Sequence, residues 1–490
     1  MGEAGGRVER DPASYRDPSG FVFRRDGVLY RQVNASFADD WRTFHDSGLA
    51  AALTDQRMLV AHESVGTDAA AAPGAADVIR PEPIPFLSFP YEWSFSQLRD
   101  AARLTLDAHE MALERGMVLK DASAFNVQFI GSRPILIDSL SFERGDASAP
   151  WVAYRQFCAH FLAPLALIAY RDPRLALLTR DLPDGIPVDL AAGLLPTRTR
   201  FRFGLASHLH LHAGAQRRAA RADTSGANSA DAAVPGLAPA ERVGSGGAPP
   251  RRMSPFRHRA LIDSLRRTID GLRWEPTTMW TGYGRTTSYT REGADAKRRI
   301  VAEMLGTLGA AAGTGAWVWD IGANTGDFSV IAADGRRQVV ALDADPGAAE
   351  LHYRRLRERG DERIWSVVAD LRAPSPTVGW GLAERPSLFD RANADAVLAL
   401  ALVHHLAIGG NVPLPSVVDT FARLGPRLMV EFVPKEDPQV RRMLSARLDV
   451  FADYTLEAFR AALAERFRIV REERIPGSAR ILFAAERLTP

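Results

Sequence analysis

One short stretch constrains the fold of this 490-residue chain more than any other. Between Val318 and Val330, apolar residues run into an acid, two glycines and an asparagine follow at alternate positions, and a helix-compatible segment comes next. The residues of this turn are Asp320, Gly322, Asn324 and Gly326. This order predicts a strand, a tight turn that contains glycine, and the start of a helix. In such a turn no side chain separates a bound nucleotide from the backbone N–H groups. A second apolar run ends in Asp343, 21 residues after Gly322, and an acid at that spacing suits ribose hydroxyls.

Length and charge place the chain in a broad class. A chain of 490 residues is too long to fold around one compact core, so two or three domains are expected. Its 46% apolar and 24% charged residues are ordinary for a soluble globular protein. The net charge of +2 does not indicate a polyanionic partner, so nucleic acid is neither required nor excluded.

Cysteine usage and apolar runs narrow the class further. The single cysteine, Cys158, allows no disulfide framework and no cysteine-based zinc site, and we expect a buried structural thiol. The polar N-terminus does not resemble a secretory signal. No apolar run reaches 18 residues, and Phe161 to Tyr170 is too short to span a membrane. A cytoplasmic enzyme is the simplest expectation.

Composition predicts the domain organisation. Residues 213–252 are rich in Ala, Gly, Ser and Pro, with almost no large apolar side chains, which predicts a flexible linker. We therefore expect a disordered N-terminus at 1–15, an α+β domain at 16–212, the linker, and an α/β domain at 253–490.

The C-terminal region alternates strand and helix patterns. Strands are predicted at 316–321, 338–342, 364–369, 396–402, 427–432, 467–473 and 479–486, and helices at 256–271, 292–309, 347–358, 414–423 and 455–465. Such alternation indicates a parallel doubly wound sheet. The last two strands are separated only by Pro476–Ser478, so we expect an antiparallel hairpin at the sheet edge.

Motif, acid spacing and terminal hairpin together resemble the class I S-adenosylmethionine-dependent methyltransferases, over roughly residues 275–490. The family's first motif is Asp/Glu-x-Gly-x-Gly-x-Gly, and Asn324 stands here for its middle glycine. Asparagine adopts left-handed backbone more readily than other non-glycine residues, so the turn is expected to survive. The Gly-x-Gly-x-x-Gly fingerprint is absent, which disfavours NAD and FAD.

The resemblance implies S-adenosylmethionine as cofactor and assigns roles. Asp320 accepts from the methionine ammonium or orders the turn, while the backbone of Gly322, Asn324 and Gly326 approaches the cofactor. Asp343 would hold the ribose hydroxyls. Asp370, which ends the run Trp365–Asp370, would contact the adenine amino group. Taken singly, Asp320 is equally a turn acid and Asp343 a helix cap.

The exit of the fourth strand carries two histidines, His404 and His405. In this fold it faces the substrate, so either imidazole is a candidate base for a hydroxyl or amine acceptor. The alternative is that one packs on the cofactor and the other caps a loop. Glu431 and Lys435 follow strand five and either face the acceptor or form a solvated charge cluster.

Several sequence features bear on the acceptor. The Asn/Asp-Pro-Pro-Tyr/Phe signature of amino-group DNA methyltransferases is absent, and Cys158 lies in the other domain, which excludes a cysteine-dependent cytosine mechanism. Aromatic residues at 280–289 either cover the cofactor pocket or simply pack. Three segments, Ala401–Leu406 (Ala-Leu-Val-His-His-Leu), Asn411–Pro413 (Asn-Val-Pro) and Glu431–Pro438 (Glu-Phe-Val-Pro-Lys-Glu-Asp-Pro), together resemble a bacterial nodulation-type methyltransferase group. The acceptor stays unknown; a small molecule, or a cell-envelope or secondary metabolite, is favoured.

The N-terminal region resembles the catalytic loop of kinases and aminoglycoside phosphotransferases. Asp121 would be the base, and Asn126 and Asp138 would hold Mg²⁺. A helix at 96–116 and a hairpin at 21–30 suit that two-lobed plan. An unrelated helical domain, in which Asp121 and Asn126 form turns, is the alternative.

The lysines argue against phosphotransfer. The chain has three, and the only one before 297 is Lys120, inside the loop itself. An active kinase needs a small-lobe lysine on the phosphates, and Arg31 is a poor substitute. We therefore expect an inactive kinase-like domain that binds a nucleotide, substrate or partner.

Three hypotheses follow. The first is a methyltransferase whose N-terminal domain selects or presents the acceptor. The second is an active small-molecule phosphotransferase fused to a methyltransferase. The third is a scaffold that binds S-adenosylmethionine without turnover.

Overall fold

The computed structural model describes residues 7–145, 147–214, 253–276, 290–307, 315–334, 336–445 and 448–488. Two predictions lie outside these ranges: the flexible linker, apart from its first two residues, and the aromatic segment at 280–289.

An antiparallel sheet begins the described chain. Its strands are β1 (Val8–Arg10), β2 (Gly20–Arg25), β3 (Val28–Asn34), β4 (His62–Ser64) and β5 (Ala75–Pro81), in the order β1-β2-β3-β5-β4. β2 and β3 form the predicted hairpin, and Asp26 and Gly27 at its turn both have positive φ, 51° and 81°. β1 pairs with β2 inside the segment predicted to be disordered, so that prediction is wrong for these three residues.

Helices and two small sheets complete the N-terminal half. The α-helices are α1 (Ala38–Asp46), α2 (Leu49–Asp55), α3 (Phe95–Leu113), α4 (Tyr154–Phe157), α5 (Ala163–Tyr170), α6 (Leu178–Asp181), α7 (Val188–Leu194) and α8 (Phe203–Leu205). Two π-helical segments join them, Cys158–Leu162 and Ala206–Leu211. The small sheets pair β6 (Met117–Leu119) with β9 (Phe142–Arg144), and β7 (Val127–Ile130) with β8 (Arg133–Leu136). Cys158 is buried as expected, and burial raises the pKa of its thiol to about 12.

The C-terminal half contains a seven-stranded sheet. Its strands are β10 (Trp317–Ile321), β11 (Gln338–Asp343), β12 (Ile364–Val368), β13 (Ala396–Ala399), β14 (Arg427–Phe432), β15 (Phe467–Arg474) and β16 (Ile481–Arg487). Their order is β12-β11-β10-β13-β14-β16-β15; the first five are parallel, and β16 is antiparallel to both neighbours. The doubly wound sheet and its terminal antiparallel hairpin are thus confirmed. The central strands are almost wholly buried, whereas β15 alternates buried and exposed residues as an edge strand does.

The helices around this sheet agree closely with their predicted ranges. They are α9 (Pro255–Gly271), α10 (Arg291–Thr307), α11 (Asp327–Ala332), α12 (Pro346–Arg359), α13 (Leu414–Leu424), α14 (Pro438–Leu444) and α15 (Leu456–Arg466). Helix α14, whose N-cap is Asp437, is not among the predicted helices. None of the helices in the described ranges is long and apolar enough to cross a membrane.

Helix α9 packs against α3 of the N-terminal half. Arg266 pairs with Asp107 and Glu110, and Arg103 donates to Asp270 at 2.7 Å. The first helix after residue 253 is therefore held by the N-terminal half, while the boundary at that residue stays a prediction.

The β7–β8 hairpin and α3 also contact the seven-stranded sheet and α12. Trp365 donates to the Phe129 carbonyl at 2.8 Å, and the Tyr353 hydroxyl donates to Asp100 at 3.0 Å. Buried Glu350 accepts from the backbone and hydroxyl of Ser96 at 2.8 and 2.6 Å. Because these polar groups are buried and paired, the contact fixes the hairpin against the β12 edge of the sheet.

Candidate functional site

The turn after β10 has the backbone that its residues predict. Gly322, Asn324 and Gly326 adopt positive φ values of 76°, 50° and 86°. Asn324 therefore takes the left-handed conformation expected of the residue that replaces glycine. Gly326 caps α11, and a Cβ there would lie 2.0 Å from Nε2 of His352, so a side chain would fit only if that ring moved.

Asp343 ends β11 and supports this turn. Its carboxylate accepts from the backbone N–H of Asn324 at 2.7 Å and of Asp345 at 2.8 Å. Burial raises its pKa to about 6; the two hydrogen bonds oppose the rise, and the charges of Asp345 and Asp370 add to it. A carboxylate with two acceptor oxygens keeps capacity for further donors.

Asp320 lies one strand away, buried in β10. Its partner is the Ser329 hydroxyl, which donates at 2.6 Å. Burial raises its pKa to about 6, opposed by that hydrogen bond and raised further by Asp343, while Lys297 lowers it. Two carboxylates with raised pKa values, buried Asp320 and half-buried Asp343, therefore stand at the carboxyl ends of adjacent parallel strands, where a cation would stabilise both.

Asp370 follows β12 and differs from the other two acids. Arg372 donates to it from its backbone at 2.9 Å and from its guanidinium at 2.7–3.1 Å. Burial raises the pKa of Asp370, but Arg372 outweighs that effect and leaves the pKa below its ordinary value. The structure thus brings the three predicted acids to one edge of the sheet, with Asp370 already paired.

The two histidines lie after β13, which ends at Ala399 rather than at 402 as predicted. The chain turns there because Ala401 has a φ of 52°. His404 is fully buried, and neither ring nitrogen has a hydrogen-bond partner. Its ring centroid lies 4.1 Å from that of His405. Burial lowers the pKa of His404 far below its ordinary value and that of His405 to about 4, so both imidazoles are neutral.

Glu431, in β14, belongs to a buried network of four charges. It accepts from Nζ of Lys297 at 2.6 Å and from Arg480 at 3.4 Å, and Arg480 also donates to Asp437 at 2.7 Å. All four residues are at most 5% exposed. Lys435, by contrast, pairs with Asp449 in a partly exposed position, as the solvated alternative predicts.

Sequence reasoning missed Lys297 and Arg480. Lys297 stands on α10 and Arg480 just before β16, 134 and 49 residues from Glu431. The available signal was Glu431 itself: an acid in an otherwise apolar strand requires a buried cation. Lys297 also influences Asp320 and lies 4.8 Å from the Phe328 ring centroid, so the network reaches the turn after β10.

The N-terminal loop residues also come together. Asp138 accepts from Arg31 at 2.7 Å, from the Leu140 N–H at 2.9 Å and from the Ser141 hydroxyl at 2.8 Å. The Asn126 amide donates to the Ser141 hydroxyl at 3.2 Å. This arrangement places Arg31, the arginine considered as a lysine substitute, on the carboxylate predicted to hold Mg²⁺.

The residues do not fit a magnesium site. Both oxygens of Asp138 are engaged, one of them by a cation, and Asp121 accepts from the Gln156 amide at 2.7 Å and the Ser123 N–H at 2.9 Å. Among the described residues, no group of three or more histidine, cysteine or acidic side chains could hold a metal ion. Burial and the charge of Asp138 raise the pKa of Asp121.

Comparison with known proteins decides the family. No protein-family model matches the chain. The nodulation protein NoeA of Rhizobium meliloti (strain 1021) is 35% identical over 491 residues, which span 98% of this chain and 97% of that protein. The chain belongs to the NoeA family. This confirms the resemblance to the nodulation-type group.

Solved structures give weaker likenesses. Magnesium protoporphyrin IX methyltransferase (ChlM) from Synechocystis PCC 6803, with bound SAH, is 17% identical, with 40% of this chain and 84% of that chain covered and a TM-score of 0.30. The bifunctional kinase-methyltransferase WbdD is 17% identical, with 39% of each chain covered and a TM-score of 0.29. The fold of this NoeA-family member therefore rests on its own strand order.

Proposed function

We propose that this protein is an S-adenosylmethionine-dependent methyltransferase. The observation that carries the proposal is the carboxyl edge of β10 and β11. There Gly322, Asn324 and Gly326 take left-handed backbone beside the carboxylates of Asp320 and Asp343, whose pKa values are raised. The sheet order and the family resemblance support it. S-adenosylmethionine, when bound, supplies an electrophilic methyl group on a positively charged sulfur.

The chain's residues suit that cofactor in distinct ways. Asp343, whose oxygens already order the turn, would accept from the ribose hydroxyls. Asp320 would hold the ammonium group, whose positive charge would stabilise its ionised form. Both carboxylate oxygens of Asp370 already accept from Arg372. If Asp370 contacts the adenine amino group, one of these oxygens must accept from both groups.

For the acceptor we propose His404 as the group that removes a proton. Its two unpartnered nitrogens and its neutral state leave one nitrogen able to accept. His405 packs against it. Glu431 is held between Lys297 and Arg480, so we propose that it positions these cations rather than touching the acceptor. The favoured acceptor class is a small molecule or a cell-envelope or secondary metabolite.

Titration calorimetry with S-adenosylmethionine and its demethylated product tests the cofactor. Asp343→Asn should weaken binding by roughly 1–3 kcal/mol, because a charged acceptor of ribose is lost. Asp419→Asn, which removes a surface partner of Arg466, is the matched control and should bind normally. No binding to the unaltered protein, or equal affinity in Asp343→Asn, would contradict the assignment.

Transfer of labelled methyl groups into fractionated small-molecule and envelope extracts tests the reaction. We expect labelling that His404→Gln abolishes while cofactor affinity is retained. Cofactor binding without labelling of any fraction would favour the scaffold hypothesis.

For the N-terminal half we propose a kinase-like domain without phosphotransfer activity. The supporting observation is that Arg31 pairs with Asp138, the carboxylate predicted to hold Mg²⁺. ATP turnover by the intact protein with Mg²⁺ should not exceed that of buffer. Turnover that disappears in Asp138→Ala would instead establish the phosphotransferase hypothesis.

A further inference from the structure

A strongly basic stretch lies at the end of the N-terminal half. Between Asp189 and Asp223 the chain carries six arginines and no acidic residue. Within it, residues 197–203 read Thr-Arg-Thr-Arg-Phe-Arg-Phe. We use the name arginine–phenylalanine surface for Arg198, Arg200, Phe201, Arg202, Phe203 and Leu211.

The apolar members of this surface project into solvent. Phe201 is 89% exposed, Phe203 83% and Leu211 67%. Isolated exposed apolar side chains are ordinary, but Phe201 and Phe203 alternate with arginines in the sequence, and Leu211 lines the same cleft as Arg200. Together these residues mark an interaction site.

The surface is held in place by its polar and apolar neighbours. Thr199, buried in the 3₁₀ helix Thr197–Phe201, donates to the Pro196 carbonyl at 2.6 Å and lies 2.8 Å from Nε2 of His210. Leu205 and Leu209 anchor the following helices in the core. The phenyl groups are therefore displayed by a packed scaffold.

A cleft of about 450 Å³ opens within this surface. Arg200, Thr197, His210 and Leu211 are among its lining residues, and none of the lining residues is acidic. Arg198 lies over the Tyr170 ring, 5.8 Å from its centroid, and Arg200 lines the cleft. The cleft thus combines a guanidinium and a hydroxyl, which suit a phosphate, with apolar groups around its rim.

We propose that the arginine–phenylalanine surface docks this protein on an anionic phospholipid bilayer. The arginines would contact the lipid phosphates, and the exposed phenyl and leucyl groups would enter the hydrocarbon just beneath them. Nucleic acid would use the arginines and stack on the phenyl rings, but it offers nothing to the aliphatic Leu211. The proposal is independent of the methyltransferase assignment.

Vesicle co-sedimentation of the full-length protein tests the docking. We expect binding to vesicles of equal parts phosphatidylcholine and phosphatidylglycerol, weak binding to phosphatidylcholine alone, and a decline with salt. Arg198→Gln/Arg200→Gln/Arg202→Gln should weaken binding on the order of a hundredfold, from about 1 kcal/mol for each arginine. Phe201→Ser/Phe203→Ser should weaken it at least about tenfold, since two buried phenyl groups are lost.

A matched control variant and a second measurement test whether the effect is specific to this surface. Trp380→Ser/Leu382→Ser removes side chains of 77% and 71% exposure elsewhere and should bind vesicles normally. Because the one native cysteine is buried, Phe203→Cys can carry an environment-sensitive dye, whose emission should shift to the blue on anionic vesicles. Binding unchanged in both surface variants, an unshifted dye, or tighter binding to single-stranded RNA than to vesicles would overturn the proposal.

Discussion

At the scale of single residues, the raised pKa values of Asp320 and Asp343 predict that cofactor affinity depends on pH. Asp320 and Asp343 each have a pKa near 6 in the free protein because burial disfavours their charge. A cationic ligand with hydroxyl donors binds the ionised carboxylates better than the protonated ones. Affinity for S-adenosylmethionine should therefore fall as pH decreases through 6, by about tenfold for each group one unit below its pKa.

Calorimetry between pH 7.5 and pH 5 checks this prediction. The Asp343→Asn variant should bind more weakly throughout and show a shallower decline, since one of the two titrating groups is gone. Affinity that stays constant down to pH 5 in the unaltered protein would show that neither carboxylate is essential to binding.

The residues of this turn could be predicted from sequence, whereas their cationic neighbours could not. Asn324 was expected to replace glycine because both residues tolerate positive φ, a local property of the chain. The pairing of Glu431 with Lys297 and Arg480 depends on tertiary contacts across 134 and 49 residues. No local pattern encodes such contacts, so the sequence could indicate only that Glu431 needs a partner.

At the scale of secondary-structure elements, the β7–β8 hairpin depends on its glycine turn to reach the sheet. Gly131 has a φ of 57°, and a Cβ there would lie 2.3 Å from Cα of Glu362. Gly116 has a φ of 71° but open space around it. Gly116→Ala should therefore cost only the backbone strain, about 1–2 kcal/mol of unfolding free energy.

Gly131→Ala carries the same strain and a backbone clash besides, so it should cost about 1–3 kcal/mol more than Gly116→Ala. Urea unfolding of the two variants measures the difference. Equal losses would mean that the hairpin moves away from Glu362 without penalty and that its contact with the sheet is weak.

Element boundaries followed the sequence where the pattern was strong. Long apolar runs became buried parallel strands, and amphipathic runs became helices within a residue or two. The strand predicted at 396–402 is longer than the observed one, because the sequence stays apolar through Ala401 although the chain already turns there. Apolar content shows that a segment is buried, but it does not show where the strand ends.

At the scale of the whole molecule, the two halves share a buried histidine pair that requires both rings to be neutral. Nδ1 of His258 lies 3.3 Å from the Ala147 carbonyl and so donates, which leaves its Nε2 as the acceptor for Nε2–H of His109, 3.1 Å away. Nδ1 of His109 then accepts from the Leu119 N–H at 3.3 Å. Protonation of either ring would set two donors against each other.

Burial lowers the pKa of His109 and of His352 to about 3 and that of His160 to about 4. The unfolded chain takes up these protons below pH 6.5 and the folded protein does not. Each such histidine should therefore reduce the unfolding free energy by about 1.4 kcal/mol per pH unit below 6.5, until its folded pKa is reached. Asp320 and Asp343 oppose this, because the cost of holding their charges in the folded protein is relieved as pH falls from 6 to 4.

Since buried histidines outnumber these acids, stability should fall between pH 6.5 and pH 5.5. Urea unfolding across this interval measures the slope in the unaltered protein and in His109→Phe/His258→Met, which replaces the pair with apolar side chains. The double variant should show a shallower slope because two titrating groups are removed from the unfolded chain. An equal slope in both proteins would mean that the pair is already protonated or hydrated in the folded state. The contact between α3 and α9 would then depend on the ion pairs of Arg103 and Arg266 instead.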